Sequence, residues 1–526
     1  MREAEVAAME RVVSRRWWAL GAMSLAILAI SLDATVLTLA LPTLAGALKA
    51  SESELQWFIT AYTLALAAGM LPAGLVGDRF GRRRLALVAL VVFGIGSIAC
   101  AAAPSPTFFI AARVVVGLAG AALIVMALSL VTVLFAETER PRAIGLWSAA
   151  NFIALPLGPI LGGWILSNAW WGWIFLMNVP VVAIALVAVV RLVPESRAPQ
   201  APGVDTVGVL LSSVGLVALM YGIVQAGENG WGSGAALVPA VAGLALLTIF
   251  FAWERRLAGH PDAQPLIDLG LFRSRSFTWG VILTAFGGLG LFGALFALPQ
   301  YLQAIAGLDA QGAGVRLLPM IAGLVVGAVP ADRVAARVGA KVAVAAGFAI
   351  TVGGMALGAG MTSGSGDAYL ALWTFIVGAG GGICFATAAS AALVELSAER
   401  SGVGSAVLQT VVKLGPAFGA SILGSVLNGT YVGQLHLNGL PAQAVATAQS
   451  SVFGGLAVAQ QLGSSDLLAS VRSAFMAGMD DAVRVAAGIA VVGIVLTVAF
   501  LPGRGTVAEQ ADRGRADAAR QPEAAR

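Results

Sequence analysis

Charged residues make up only 11% of this 526-residue sequence, against about 25% in ordinary soluble domains. With 59% hydrophobic residues and a mean hydropathy of +0.89, a soluble enzyme is excluded. Cysteine and histidine are almost missing. Cys100 and Cys384 sit inside apolar runs, and His260 and His436 stand far apart, which excludes a disulfide framework and leaves no Cys/His cluster for a metal. Lysine is as rare, three against 28 arginines, and none completes the Gly-x-x-x-x-Gly-Lys-Ser/Thr loop that cradles nucleotide phosphates. No enzymatic activity, metal or cofactor is expected. The one glycine fingerprint, Gly288-x-Gly290-x-x-Gly293, lies in an apolar run of a chain with 65 glycines. It has neither a strand nor an acidic partner, so chance explains it.

Long apolar runs are what the sequence has instead. A bilayer crossing takes about 20 residues. Runs bounded by charge, Pro or Gly fall near 17–40, 55–77, 85–103, 108–134, 142–167, 173–192, 204–225, 234–253, 277–300, 312–331, 341–361, 368–394, 402–428 and 484–502. The expected fold class is all-α, a polytopic membrane protein with 14 transmembrane helices. The first run is too long for a cleaved leader and carries Asp33 in its second half, so it is expected to remain as a helix.

The formal net charge of +4 changes meaning once it is sorted by loop. Of the 31 basic residues, 25 fall in the two tails and in every second loop, including Arg79, Arg82, Arg83 and Arg84. Positive charge marks the cytoplasmic side. Both termini are therefore expected in the cytoplasm, and nucleic acid is not expected as a partner.

The chain also repeats itself. Asp78-Arg79 after the second run is echoed by Asp332-Arg333 after the tenth, and Leu157-Gly158-Pro159 is echoed by Leu414-Gly415-Pro416. The two matches are 254 and 257 residues apart, which predicts two pseudo-repeated six-helix bundles plus two extra helices. The expected division is an amino-terminal bundle over 1–200 and two additional helices with a cytoplasmic linker over 201–275. A carboxy-terminal bundle over 276–503 follows, with a long outer loop at about 429–475, and then a disordered tail over 504–526.

At these residues the chain resembles the major facilitator superfamily, and within it the fourteen-span drug:proton antiporter branch. Gly74-x-x-Gly77-Asp78-Arg79-x-Gly81-Arg82-Arg83 is similar to the signature loop between the second and third spans. Leu32-Asp33-x-Thr35-Val36 resembles the branch's first-span signature, and Gly158-Pro159-x-x-Gly162-Gly163 the fifth-span motif of antiporters. Leu298-Pro299-Gln300-Tyr301-Leu302-Gln303, with Gly314, Arg316 and Leu317-Leu318-Pro319, resembles the branch's segment between the ninth and tenth spans. The departures are specific. Val116 replaces a Gln three residues after Arg113, Gly172 replaces an Arg between Trp171 and Trp173, and Gln409 and Lys413 stand where exporters of multivalent cations carry acidic residues.

An ionised carboxylate deep in a span is costly and is read as functional. Asp33 is therefore the expected proton carrier, facing a cavity, with Arg113 as its salt-bridge partner. Asp78, Arg79, Gly81 and Arg82 are expected to form a latch at the cytoplasmic mouth, with the carboxylate capping a helix end and pairing with an arginine of a neighbouring helix. Gly158, Pro159, Gly162 and Gly163 suit close helix contact or bending. Cavity-wall candidates are Trp57, Tyr62, Asn151, Phe152, Phe286, Phe296, Gln300, Gln303 and Lys413, the last also able to pair with Glu395. The resemblance implies a proton-coupled antiporter exporting amphiphilic drugs or antibiotics across the bacterial cytoplasmic (inner) membrane by alternating access. Its expected partners are a small amphiphilic substrate, protons and the lipid bilayer, and it is expected to function as a monomer. Export of an endogenous metabolite, lipid or siderophore, and a non-transporting membrane sensor or scaffold, are the competing readings.

Overall fold

In a bilayer every backbone N–H and C=O must find its partner within the chain, and the helix achieves this segment by segment. The computed structural model describes residues 2–50, 52–136, 138–197, 205–259, 266–267, 269–362, 364–394, 401–437 and 440–503. Among them there is no strand. The tail over 504–526, Glu395 and His260 lie outside the described residues.

Fourteen long helices follow one another: α1 (Arg2–Leu48), α2 (Glu52–Phe80), α3 (Arg82–Ala101), α4 (Pro106–Leu134), α5 (Arg140–Asn168), α6 (Asn178–Leu192) and α7 (Thr206–Asn229). The series continues with α8 (Gly234–Leu257), α9 (Arg275–Gln300), α10 (Leu318–Ala328, preceded by Ala310–Arg316), α11 (Ala340–Gly358), α12 (Asp367–Val394), α13 (Ser401–Gln434) and α14 (Ser465–Phe500). Thirteen of the helical stretches among the described residues are long and apolar enough to cross a membrane. The 29-residue α5 completes the set. Local sequence sets several starts: the side chains of Ser105, Asp205, Ser233, Ser274 and Ser464 each accept a backbone N–H in the first turn of α4, α7, α8, α9 and α14.

The packing repeats as the sequence does. In the first half α1 packs on α5 and α6, α4 packs on α2 and α3, and α3 packs on α6. In the second half α9 packs on α13 and α14, α12 packs on α10 and α11, and α11 packs on α14, so each contact recurs eight helices later. Gly81 and Gly339 both take positive φ, at 114° and 90°, immediately before α3 and α11. Only glycine adopts that turn without strain. The extra helices α7 and α8 pack on each other, and α7 leans on α2 and α13. Close approach between the extra helices rests on Gly222, where an added Cβ would stand 2.5 Å from the Ala240 nitrogen.

The outer surface carries apolar rows at helical spacing. Examples are Val88, Val91 and Ile95 on α3, Val238, Val241 and Leu244 on α8, and Val491, Val495 and Val498 on α14. These rows suit lipid rather than water.

Two helix lengths differ from the sequence expectation. α1 runs for 47 residues, well beyond 17–40. α14 begins at Ser465 rather than 484, and the outer loop expected over 429–475 contains the end of α13 and the short helices Ala442–Ser450 and Val452–Gln461. Charge explains the second difference: Arg472, Asp480, Asp481 and Arg484 interrupt the apolar run, yet they suit a helix that projects beyond the lipid. Arg484 pairs with Asp480 at 2.6 Å, and Asp481 accepts the Thr430 hydroxyl at 2.9 Å. Tyr431, at the end of α13, donates to the carbonyls of Ala448 and Ser451 and so anchors the outer helices.

Candidate functional site

The two charges expected to matter inside the first bundle meet. Arg113 of α4 donates from Nη1 to Asp33 Oδ2 of α1 at 2.5 Å, and each residue is 1% exposed. The second carboxylate oxygen is also occupied, since Asn178 at the start of α6 donates its amide to Asp33 Oδ1 at 3.2 Å and to Ser97 Oγ of α3 at 3.4 Å. Arg113 Nε donates to the Phe58 carbonyl at 3.2 Å, and its guanidinium lies 4.2 Å from the centre of the Tyr62 ring. Tyr62 in turn donates to the Ile30 carbonyl at 3.3 Å.

This arrangement can exist in two charge states. A buried pair of opposite charges offsets its own desolvation only while both partners stay ionised. A proton on Asp33 removes the attraction but leaves Arg113 with the Phe58 carbonyl and the Tyr62 π-face. The sequence reading placed Asp33 facing a cavity, whereas here α1, α4 and α6 enclose it, because the ion pair draws the carboxylate into the bundle. Val116, at the position of the missing Gln, is fully buried and packs at Gly96 of α3. It supplies an apolar contact there.

The end of the bundle where α2 meets α3 holds a second cluster. Asp78 Oδ1 accepts from Arg82 Nε at 2.9 Å and Nη2 at 2.7 Å, and Asp78 Oδ2 accepts the Val403 backbone N–H at 3.0 Å. Val403 lies in the first turn of α13, where N–H groups lack intrahelical partners and the helix dipole favours an anion. The carboxylate on the first bundle thereby caps a helix of the second, and Asp78 and Arg82 are both buried. Gly81 is required twice: its φ is 114°, and an added Cβ would stand 2.6 Å from Glu195 Oε1. Glu195 also accepts the Arg83 amide at 3.2 Å. Arg79 stacks over Phe80 at 5.5 Å.

The fifth-span motif sits directly beyond Asp33. A Cβ on Gly158 would collide with the Thr35 hydroxyl, and one on Gly162 would stand 2.8 Å from Val36 Cγ1. In the second half a Cβ on Gly415 would stand 2.5 Å from the Ala285 carbonyl of α9. Glycine thus brings α5 onto α1 and α13 onto α9 at matching places. Gly163 is partly buried, and the side chains of Pro159, Asn151 and Phe152 lie outside the described residues.

The other cavity candidates scatter. Trp57 stacks on Tyr221 of α7 at 6.4 Å, in the seam with the extra helices. Phe286 packs beside Leu283, Val344 and Cys384 within the second bundle. Phe296 lies 3.0 Å from a Cβ on Gly424 and is 42% exposed. Gln300 donates to the Phe296 carbonyl at 3.0 Å, and Gln303 is partly buried in the π-helical turn Tyr301–Ile305. Lys413 lies near the middle of α13.

Sequence reasoning missed several partners. Asn178 carries no charge to betray it, and the Val403 amide is a backbone group. Trp253 of α8 donates to Asp205 at 3.0 Å, while the buried Glu254 accepts the Ile267 amide at 3.1 Å and ties down the linker beyond α8. At the outer side Arg316 makes a two-pronged contact with Asp367, at 2.9 and 2.8 Å. A cavity of about 390 Å³ is lined by residues that include Thr138, Asp332, Arg333, Thr387 and Ser390.

Known proteins share this architecture. The sequence model of the Major Facilitator Superfamily matches residues 23–420. The multidrug efflux pump LfrA of Mycolicibacterium smegmatis is 32% identical over 92% of this chain and 97% of its own length. The tetracenomycin C resistance and export protein of Streptomyces glaucescens is 30% identical over 92% of this chain and 91% of its own length. Among solved structures, the proton:xylose symporter XylE superposes with a TM-score of 0.59, covering 93% of this chain and 97% of that one at 15% identity. That likeness shows the fold alone.

Proposed function

We propose that this chain, which belongs to the major facilitator superfamily, exports amphiphilic drug-like or antibiotic molecules across the bacterial cytoplasmic membrane in exchange for protons. Export is what the relatives' names describe: one is a multidrug efflux pump and another a resistance and export protein. Both cover nearly the whole of this chain.

The observation that carries the proton coupling is the enclosed Asp33–Arg113 pair. Its titratable carboxylate is fastened to three helices of one bundle, so gain or loss of one proton changes how α1, α4 and α6 hold together. The pair stands immediately before Thr35 and Val36, on which α5 presses through Gly158 and Gly162. In this reading, protonation of Asp33 releases Arg113 and loosens α1 against α4, and the change passes to α5. The Asp78 clasp holds the cytoplasmic side shut until the bundles rock. In this reading both termini lie in the cytoplasm, which the basic residues of every second loop support.

The test is purified protein in liposomes carrying a pH indicator inside. Adding each member of a panel of anionic, cationic and neutral amphiphiles is expected to show, for those that move, proton movement opposite to substrate movement. Substrate movement with no proton flux contradicts the exchange, and no movement of any amphiphile contradicts export.

A further inference from the structure

Lys413 is the charged group that the mechanism above does not use. It lies twelve residues into α13, about 18 Å along the axis at 1.5 Å per residue, which is well inside a hydrocarbon layer about 30 Å thick. Its neighbours fix its direction. Gly415 abuts the Ala285 carbonyl and Pro416 nears Gly288, both on α9, while Leu414 and Ala417 pack with Leu64 of α2 and Met220 of α7. On a helix at 100° per residue, position 413 falls between those two contact faces, towards the space between the bundles.

Lys413 is partly buried, set between the α9 contact and the contact with α2 and α7. Among the described residues no carboxylate pairs with it. The other strong charges deep in the first bundle, Asp33 and Arg113, cancel each other. One turn earlier on the same face, Thr410 is buried with its hydroxyl unpartnered among the described residues. An ammonium and a free hydroxyl, one turn apart, form a receptor for a group with two acceptor oxygens.

Resting on the export reading above, we propose that Lys413 and Thr410 receive an anionic group of the cargo, so that this exporter selects amphiphilic acids, carboxylates or phenolates, over cations of similar size. An ammonium in the membrane interior costs several kcal/mol unless it is paired, and a cargo anion offsets that cost while it is bound. A cationic cargo meets repulsion at the same place.

The experiment uses two dyes on one xanthene scaffold, fluorescein as the anion and rhodamine 123 as the cation, with the full-length protein in liposomes under one imposed pH gradient. The wild type is expected to move fluorescein faster than rhodamine 123. Lys413→Gln is expected to raise the KM for fluorescein about tenfold without slowing rhodamine 123, and Lys413→Arg to retain the preference. Should Lys413→Gln fail to fold, the wild-type preference and the salt-sensitive thermal stabilisation of the wild type by fluorescein carry the test. A wild type that prefers rhodamine 123, or a folded Lys413→Gln that handles fluorescein normally, overturns the inference while export stands. Transport of neither dye overturns this inference, while the export reading falls only if no amphiphile moves.

Discussion

Asp78, at the end of α2, accepts the backbone N–H of Val403, at the start of α13, across 3.0 Å and across the boundary between the two bundles. It does so while holding both Nε and Nη2 of Arg82. One carboxylate thus closes a turn within its own bundle and caps a helix of the other.

Asp78→Asn is therefore expected to weaken the clasp from both sides, since an amide gives up the ion pair and binds the helix end less well. Loss of a helix cap is worth about 0.5–2 kcal/mol, so the ratio of closed to open states falls about 2-fold to 30-fold. Export should fall with protein amount unchanged, and a cysteine introduced at Ser390, on the cavity beside Asp332 and Arg333, should react faster with a membrane-impermeant maleimide. Unchanged reactivity and unchanged export would contradict the clasp.

Removing one member of the Asp33–Arg113 pair strands the other. Arg113→Ala leaves a carboxylate 1% exposed with only the Asn178 amide beside it, and the expected loss of stability is about 3–5 kcal/mol. The double variant Asp33→Asn with Arg113→Gln should recover much of that loss. Melting of the detergent-solubilised proteins measures both.

Gly158→Ala places a methyl group on the Thr35 hydroxyl. Overpacking of this kind costs about 1–3 kcal/mol. Thr35→Gly in the same chain should restore part of the melting temperature, and no other small-residue change on α1 should do so.

Gly81→Ala meets two obstacles, a φ of 114° and the carboxylate of Glu195. Relief of the side-chain clash alone, through Glu195→Ala, should recover only part of the lost export, because the backbone strain of about 1–2 kcal/mol remains.

Much of this was legible in the sequence because a membrane makes polar residues conspicuous. Asp33 and Arg113 stood out as rare charges in apolar runs, and the spacing of Asp78 and Asp332 announced two bundles whose contacts recur eight helices apart. Glycine spacing pointed to close helix contact or bending at α5 without saying that α1, through Thr35, would be what it meets. Asn178 escaped because one amide scarcely alters an apolar run, and the Val403 N–H because backbone groups leave no mark in a sequence. The outer helices escaped because 442–461 is rich in Ala, Gln, Ser and Gly and its helices are too short to cross a bilayer; they are fixed by the Tyr431 hydroxyl and by the Ser451 cap. The enclosure of Asp33 was invisible for a related reason, since it depends on three helices that converge only in the folded bundle.

The central claim is that protonation of Asp33 couples the pH gradient to export, and Asp33→Asn in liposomes tests it most directly. The account predicts that this variant still exchanges labelled for unlabelled substrate when no gradient is present, but no longer accumulates substrate when a pH gradient is imposed. Undiminished gradient-driven accumulation by Asp33→Asn would contradict it.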